Sequence, residues 1–375
     1  MKRCTPRRRL AVVALAFATM ASAARAWDAH GHRTITYLAL DGLPADFPTW
    51  AREAPGRHQV AYQSNEADRW RGSRMDCLAH ENSPDHYVDV DLLAPFGLSL
   101  AQLPRLRYEY VRALVLAKHL HPEHAPQYDA ASDRARTKEW PGFLPYAIVE
   151  HYAKLQSSFQ TVRILEKLDD PARRPQLAQA QANCIYHMGV LSHFVGDAAQ
   201  PLHTTKHFNG WAGANPNEYT TSNKFHAFID GDVLDVHELT YATLREHMRY
   251  ERRVEARDPW DDALALIGRS FEQVEPLYRL DRDGELRQAP GKELIRTQLC
   301  DAAATLAAFY RAAWISSAPD EKAIRDFLRF NNFKPELLPD QGRPATNERA
   351  GSTERTPAGT NGTPATAPVP VAPAP

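Results

Sequence analysis

The sequence predicts an all-α protein, a single multi-helix domain followed by a disordered C-terminal tail. Two observations carry this. Eight stretches place apolar residues at mixed three and four spacing, the signature of amphipathic helices. No stretch alternates apolar and polar residues over β-branched positions, so a sheet core is not expected.

Taken in order, the expected helices cover 34–43, 108–121, 145–168, 175–199, 225–248, 261–280, 293–314 and 321–333. Pro145 and Pro175 stand near helix starts, where a missing N–H costs nothing. Between the helices lie long polar segments, 53–85, 122–140 and 204–222, read as loops. Loops of that length in a compact domain are commonly functional. From about Pro339 the chain collapses to Pro, Ala, Thr, Gly and charge, without an aromatic residue. Such a segment buries too little apolar surface to offset its ordering entropy. Residues 27–338 are therefore the expected domain and 339–375 the tail.

Residues 1–26 read as a signal peptide. Lys2, Arg3, Arg7, Arg8 and Arg9 precede a short apolar run, and Ala24 and Ala26 occupy small-residue cleavage positions. That run is too short for a stable membrane anchor, and no later stretch serves either. A periplasmic or secreted protein beginning at Trp27 is expected, without stable membrane insertion and as a monomer. The leader holds six basic residues and no acid, so processing leaves 39 basic against 46 acidic residues, a net charge of −7. Non-specific attraction to polyanions is thereby excluded as the recognition device. Cys4 leaves with the leader, and Cys77, Cys184 and Cys300 permit at most one disulfide. Cys184 shares a helix face with Met188 and reads as a small buried hydrophobe.

The segment from His193 to His203, His-Phe-Val-Gly-Asp-Ala-Ala-Gln-Pro-Leu-His, carries the chemistry. His193 and Asp197 are four apart and project from one helix face. Pro201 ends the helix and His203 follows in the turn. His226 and Asp230 repeat the spacing. Taken alone, one such pair bonds to itself or to water. Two pairs and a third His make a set of imidazole and carboxylate donors of the kind zinc takes when thiolates are absent. Asp68, in Glu-Ala-Asp-Arg-Trp-Arg, and His86, in His-Tyr-Val-Asp, are further donors, as is the mature N-terminus Trp-Asp-Ala-His-Gly-His ending at His32. His30, His80, His187, His207 and His237 lie near these motifs without matching them, and the histidines of 118–124 are read as exposed surface.

The order Trp-x4-His, Ala-Asp-x2-Arg, His-aromatic-x-Asp, His-Phe-x-Gly-Asp-x2-Gln-Pro-Leu-His and His-x3-Asp resembles the S1/P1 nucleases, grouped with zinc-dependent phospholipases C in an all-α, trinuclear-zinc superfamily. The resemblance spans residues 27–230. It implies three zinc ions per chain in one cleft. Trp27, through its free amine and carbonyl, and His32 would hold one ion. Asp68, His86 and His193 would hold a second, with Asp197 bridging those two. His203, His226 and Asp230 would hold the third. Arg71 matches the family's arginine beside the reacting phosphate, and Tyr87 and Asp89 its base-stacking and base-bonding residues. Gly213-Ala214-Asn215 matches a Gly-Gly-Asn imperfectly and marks Asn215 as substrate-binding. Where the eukaryotic nucleases carry a cysteine-rich insert after His-aromatic-x-Asp, this chain has none.

Physical chemistry supports the same assignment. An α-amine with a pKa near ~8 yields its proton readily to zinc, so export processing would complete the site. A bridging Asp197 brings two cations close enough to share one hydroxide, a nucleophile at neutral pH. With the roles the resemblance implies for Asp68 and Arg71, the expected catalytic residues are Asp68, Arg71 and Asp197, and no side chain need attack. The leading expectation is a zinc-dependent phosphodiesterase acting on nucleic acid, single-stranded in preference because a base must reach an aromatic platform. The alternatives are a phospholipase C on the same centre and a non-catalytic, zinc-stabilised exported binding protein. The four-residue gap from Trp27 to His32, and Asp rather than Glu at position 230, favour the nuclease.

Overall fold

Two helices of 25 residues form the spine of the protein. Leu144–Leu168 and Arg174–Ala198 pack along each other, joined by a turn whose first residue, Asp169, takes a left-handed conformation (φ 46°). Short connections of this kind leave neighbouring helices antiparallel. The computed structural model describes residues 27–124, 128–131 and 133–331. The expected signal peptide and C-terminal tail lie outside the described residues.

The described chain is all-α, with an isolated bridge between Val88 and Gly142 in place of any strand. The N-terminal helix Ala29–Asp41 packs on the long helix Ala289–Ser316, on Gly56–Gln63 and on Arg174–Ala198. Asp28 caps it, accepting from the His30 and Gly31 amides at 2.9 and 3.0 Å. The main core runs through all these helices and includes Trp27, Ile35, Leu38, Phe159, Met188, Leu191, Phe194 and Phe309. A smaller core of Leu93, Leu103, Tyr110, Leu114, Phe143, Tyr146, Trp260 and Leu264 seats helix Arg107–Leu120.

Three segments depart from the expected elements, each for a physical reason. Residues 53–85, expected as a loop, contain the short helices Gly56–Gln63, Glu66–Arg71 and Asp76–Asn82. Helices this short are marginal alone, and the first two are held by packing on Arg174–Ala198. The expected helix 261–280 is two, Trp260–Phe271 and Val274–Arg282. Pro276 has no N–H to donate to the carbonyl four residues back, so the helix restarts just before it. The expected helix 225–248 is broken as well. A π-turn, Phe228–Asp232, sits between Phe225–Ala227 and Val233–Val236, and Glu238 (φ 54°) stops the run. No disulfide forms among the described residues: Cys77 is exposed, Cys300 half-buried, and Cys184 buried as expected.

Gly189 marks the closest approach of the spine to Gly56–Gln63. A Cβ there would lie 2.2 Å from Gln63 Cβ and 2.8 Å from the Val60 carbonyl oxygen. Gly189→Ala is therefore expected to lower stability by about 1–3 kcal/mol, the usual cost of overpacking. Urea unfolding checks this, and an unchanged or raised midpoint would contradict the close approach.

Candidate metal centre

Asp197 occupies the last turn of helix Arg174–Ala198, and four imidazoles from four parts of the chain converge on its carboxylate. His86 Nδ1 lies 3.0 Å and His193 Nε2 3.3 Å from Oδ2. His32 Nε2 lies 3.5 Å and His203 Nδ1 3.7 Å from Oδ1. All five residues are buried. The His32 and His193 rings stack with centroids 4.1 Å apart.

Each imidazole reaches this point by a different local device. His193 sits one helical turn before Asp197, as the spacing requires. His32 comes from the capped N-terminal helix, and its ring fits because residue 196 is glycine: a Cβ there would stand 2.7 Å from His32 Nδ1. His86 closes the 3-10 turn Ser83–His86, and the chain beyond it is clamped on both sides. Val88 and Val90 donate to the His203 and Thr204 carbonyls at 2.9 and 3.0 Å, while Asp89 donates to Pro141 at 2.6 Å. Arg107 anchors the residue before it, bonding Asp85 at 2.6 Å and Glu150 at 2.8 Å. His203 closes the short 3-10 turn Pro201–His203, which follows the helix end at Ala198.

The donors, all buried except the half-buried Asp68, fall into three groups within each of which the ligand atoms lie within 4.8 Å of one another: His32, His193 and Asp197; Asp68, His86 and His193; and His203, His226 and Asp230. These groups can hold metal ions. Polar satisfaction argues the same way. His193 Nδ1 and His203 Nδ1 donate to the Ser64 and His86 carbonyls, both at 2.7 Å. Each bond places the proton on Nδ1 and leaves Nε2 as an inward-facing lone pair, opposite His86 Nδ1 at 3.0 Å for His193 and without a partner among the described residues for His203, the arrangement seen around metal-ligating histidines. His203 Nε2, both nitrogens of His226 and Asp230 Oδ2 are buried without a hydrogen bond among the described residues. His226 Nε2 and Asp230 Oδ2 stand 3.2 Å apart across the π-turn. Leaving so many buried polar atoms unmatched costs several kcal/mol unless a cation satisfies them.

Protonation follows from burial and neighbours. Burial, then the nearby Arg71 charge, pushes the His86 imidazole down to about 4. His32, His203 and His226 are also lowered, first by burial and then, for His32, by His193. These imidazoles are neutral at pH 7, the form that binds metal. Burial opposes ionisation of Asp197, yet His193 and His203 overcome it and hold the carboxyl well below its usual range. Burial likewise opposes ionisation of Asp68, and His193 and Arg71 lower it. Asp230 goes the other way, raised by burial despite a 2.7 Å bond from Gln200 Nε2. A bound cation would reverse that direction. His193 is raised, because Asp197 and Asp68 outweigh its burial.

Arg71 pairs with Asp68 at 2.8 Å, and its charge is felt at His86, His203, His226 and Asp230. Trp27 is fully buried, with its indole N–H donating to the Gly196 carbonyl at 3.1 Å. The next amide, Asp28, donates to the Asp230 carbonyl at 2.8 Å. The backbone at Trp27 and Asp28 is thus laid between the Asp197 helix and the π-turn. The expected base-contacting residues are engaged otherwise. Tyr87 is half-buried, its hydroxyl donating to the Thr137 carbonyl at 3.0 Å. Asp89 is buried, and burial with neighbouring Asp91 raises its carboxyl well above the usual range. Asn215 bonds the Tyr219 backbone through both ends of its amide, at 2.7 and 2.9 Å, and closes a turn.

Some contributors carried no assignment in the sequence. Gly196 and Gln200 lie inside the His193–His203 motif, where a steric role and an orienting role were readable as a question but not as an answer. Ser64 acts through its carbonyl, which no side-chain pattern announces.

No protein-family model matches the chain, and no curated protein matches it.

Gly196→Ala tests the packing of the first group. The protein should fold, since one methyl is added at a helix end, but the His32 ring must move. Metal content after zinc loading should fall by about one ion per chain, by elemental analysis. Unchanged content would show that His32 is not held by that contact.

Proposed function

We propose that the chain is an exported, zinc-dependent phosphodiesterase that hydrolyses nucleic acid, single strands in preference, with three zinc ions per chain. The observation that supports this reading is the cluster itself: three buried donor groups linked through one carboxylate, Asp197. In that reading Trp27 and His32 serve one ion, Asp68, His86 and His193 a second, and His203, His226 and Asp230 the third. Zinc bound there supplies Lewis acidity and a nucleophile at neutral pH.

The protein's own residues do the rest. Asp197, ionised and buried, ties two donor groups into one electrostatic unit. Arg71, oriented by Asp68, balances negative charge that builds on the equatorial phosphate oxygens. Tyr87, anchored by its hydroxyl, would stack on a base, and Asp89 would bond to it. A net charge of −7 after processing leaves recognition to this cleft rather than to bulk attraction.

Metal-loaded mature protein is expected to cleave single-stranded DNA and RNA and to leave phosphatidylcholine nearly untouched. Asp197→Asn, which keeps the shape and removes the charge, should abolish cleavage and lower zinc content. Ready turnover of phosphatidylcholine with intact nucleic acid would instead establish a phospholipase C on the same donors. Turnover of neither substrate by the fully loaded protein would support a non-catalytic binding protein.

Processing before Trp27 should matter as well. Protein carrying extra residues ahead of Trp27 presents an amide in place of a chelating amine. It should fold, hold about one zinc fewer and lose most activity. Equal specific activity of the extended and processed forms would remove the N-terminus from the centre.

A further inference from the structure

The histidine-rich stretch Lys-His-Leu-His-Pro-Glu-His, residues 118–124, takes no part in the buried cluster. Helix Arg107–Leu120 ends there, and Pro122–His124 forms a 3-10 turn, closed by a 3.0 Å bond from the His124 amide to the His121 carbonyl. Proline at the first position of that turn presets its backbone. The turn brings His121, Glu123 and His124, all exposed, into one group with ligand atoms within 4.8 Å of one another.

The geometry within the group is selective. Glu123 Oε1 lies 3.3 Å from His121 Nδ1 and 3.9 Å from His124 Nε2. Donors about 2.0–2.1 Å from a tetrahedral zinc stand roughly 3.3–3.4 Å from each other. The first pair is already at that separation and the second is about half an ångström wider. The two imidazole rings lie face to face, centroids 5.6 Å apart and 21° from parallel. A simple His–Glu hydrogen bond accounts for the His121 contact alone. His124 is oriented separately, by the Pro95 carbonyl. His124 Nδ1 is 2.9 Å from the Pro95 carbonyl oxygen, which can only accept, so Nδ1 carries the proton. That bond leaves Nε2 as a lone pair turned toward the same carboxylate oxygen, an outer-shell arrangement that orients a ligating imidazole.

We propose that His121, Glu123 and His124 form a surface site for one borderline divalent cation of the zinc, nickel or copper(II) class, separate from the buried cluster. Two imidazoles and a carboxylate suit such ions, with copper(II) held tightest in the usual order. Water completes the coordination. The ion would tie the end of helix Arg107–Leu120 to the Ala94–Phe96 turn through His124 and Pro95.

The test titrates zinc-loaded full protein with further zinc by calorimetry, comparing wild type with His121→Ala/His124→Ala. Wild type should take up one more, weaker equivalent that the double variant lacks, while circular dichroism and the tightly held zinc stay the same. Glu123→Gln alone should weaken that equivalent roughly tenfold or more, and His119→Ala should leave it intact. Copper(II) in place of zinc should give an electron paramagnetic resonance signal with nitrogen splitting in wild type only. Equal uptake by wild type and double variant would overturn the site, and loss of the equivalent in His119→Ala would overturn its ligand set.

Discussion

The burial of one carboxylate among four imidazoles is the constraint on which the rest of the structure depends. An ionised Asp197 without exposure to water would be prohibitive in isolation. It is tolerated here because His32, His86, His193 and His203 surround it at 3.0–3.7 Å. Those four residues come from positions spread over more than half of the described chain. The need to bring them together dictates where the helices start, end and cross.

Several packing features make sense only in that light. Gly196 leaves room for the His32 ring, and Gly189 lets Gly56–Gln63 lie close enough for the Ser64 carbonyl to receive His193 Nδ1. The clamped segment 86–90 fixes His86 by backbone bonds on both edges, so its ring position owes little to side-chain freedom. The π-turn at Phe228–Asp232 turns Asp230 inward opposite His226. π-bulges of this kind recur at functional sites because they re-aim one side chain at a small cost in regularity.

Electrostatics and packing point the same way. Neutral His32, His86, His203 and His226, with ionised Asp68 and Asp197, form a donor set ready for cations at neutral pH. Arg71 adds a fixed positive charge at the edge of the set, close enough to Asp68 to be oriented, and adds to the burial that lowers His86, His203 and His226. The surface group at residues 121–124 differs in kind. It is local in sequence and open to solvent, and its order comes from a proline turn and one carbonyl.

The sequence by itself determined the all-α class, because helical periodicity is a local property, and the spine helices with their Pro145 and Pro175 starts. It also picked out the donors, since His193 with Asp197 and His226 with Asp230 must share a face once helical. The grouping of Asp68 and His86 with His193 was readable only through the order of motifs, because their proximity is non-local. Tertiary structure alone decided the rest. Short helices in 53–85 have no strong pattern and exist because they pack on the spine. The π-turn and the left-handed Glu238 broke a helix whose periodicity ran on through residue 248. The Ser64 and His86 carbonyls orient imidazoles without any side-chain signature. Tyr87, Asp89 and Asn215 found partners in loops that sequence spacing does not place. Periodicity reports what each segment can bury, and only the packed fold reports what it is buried against.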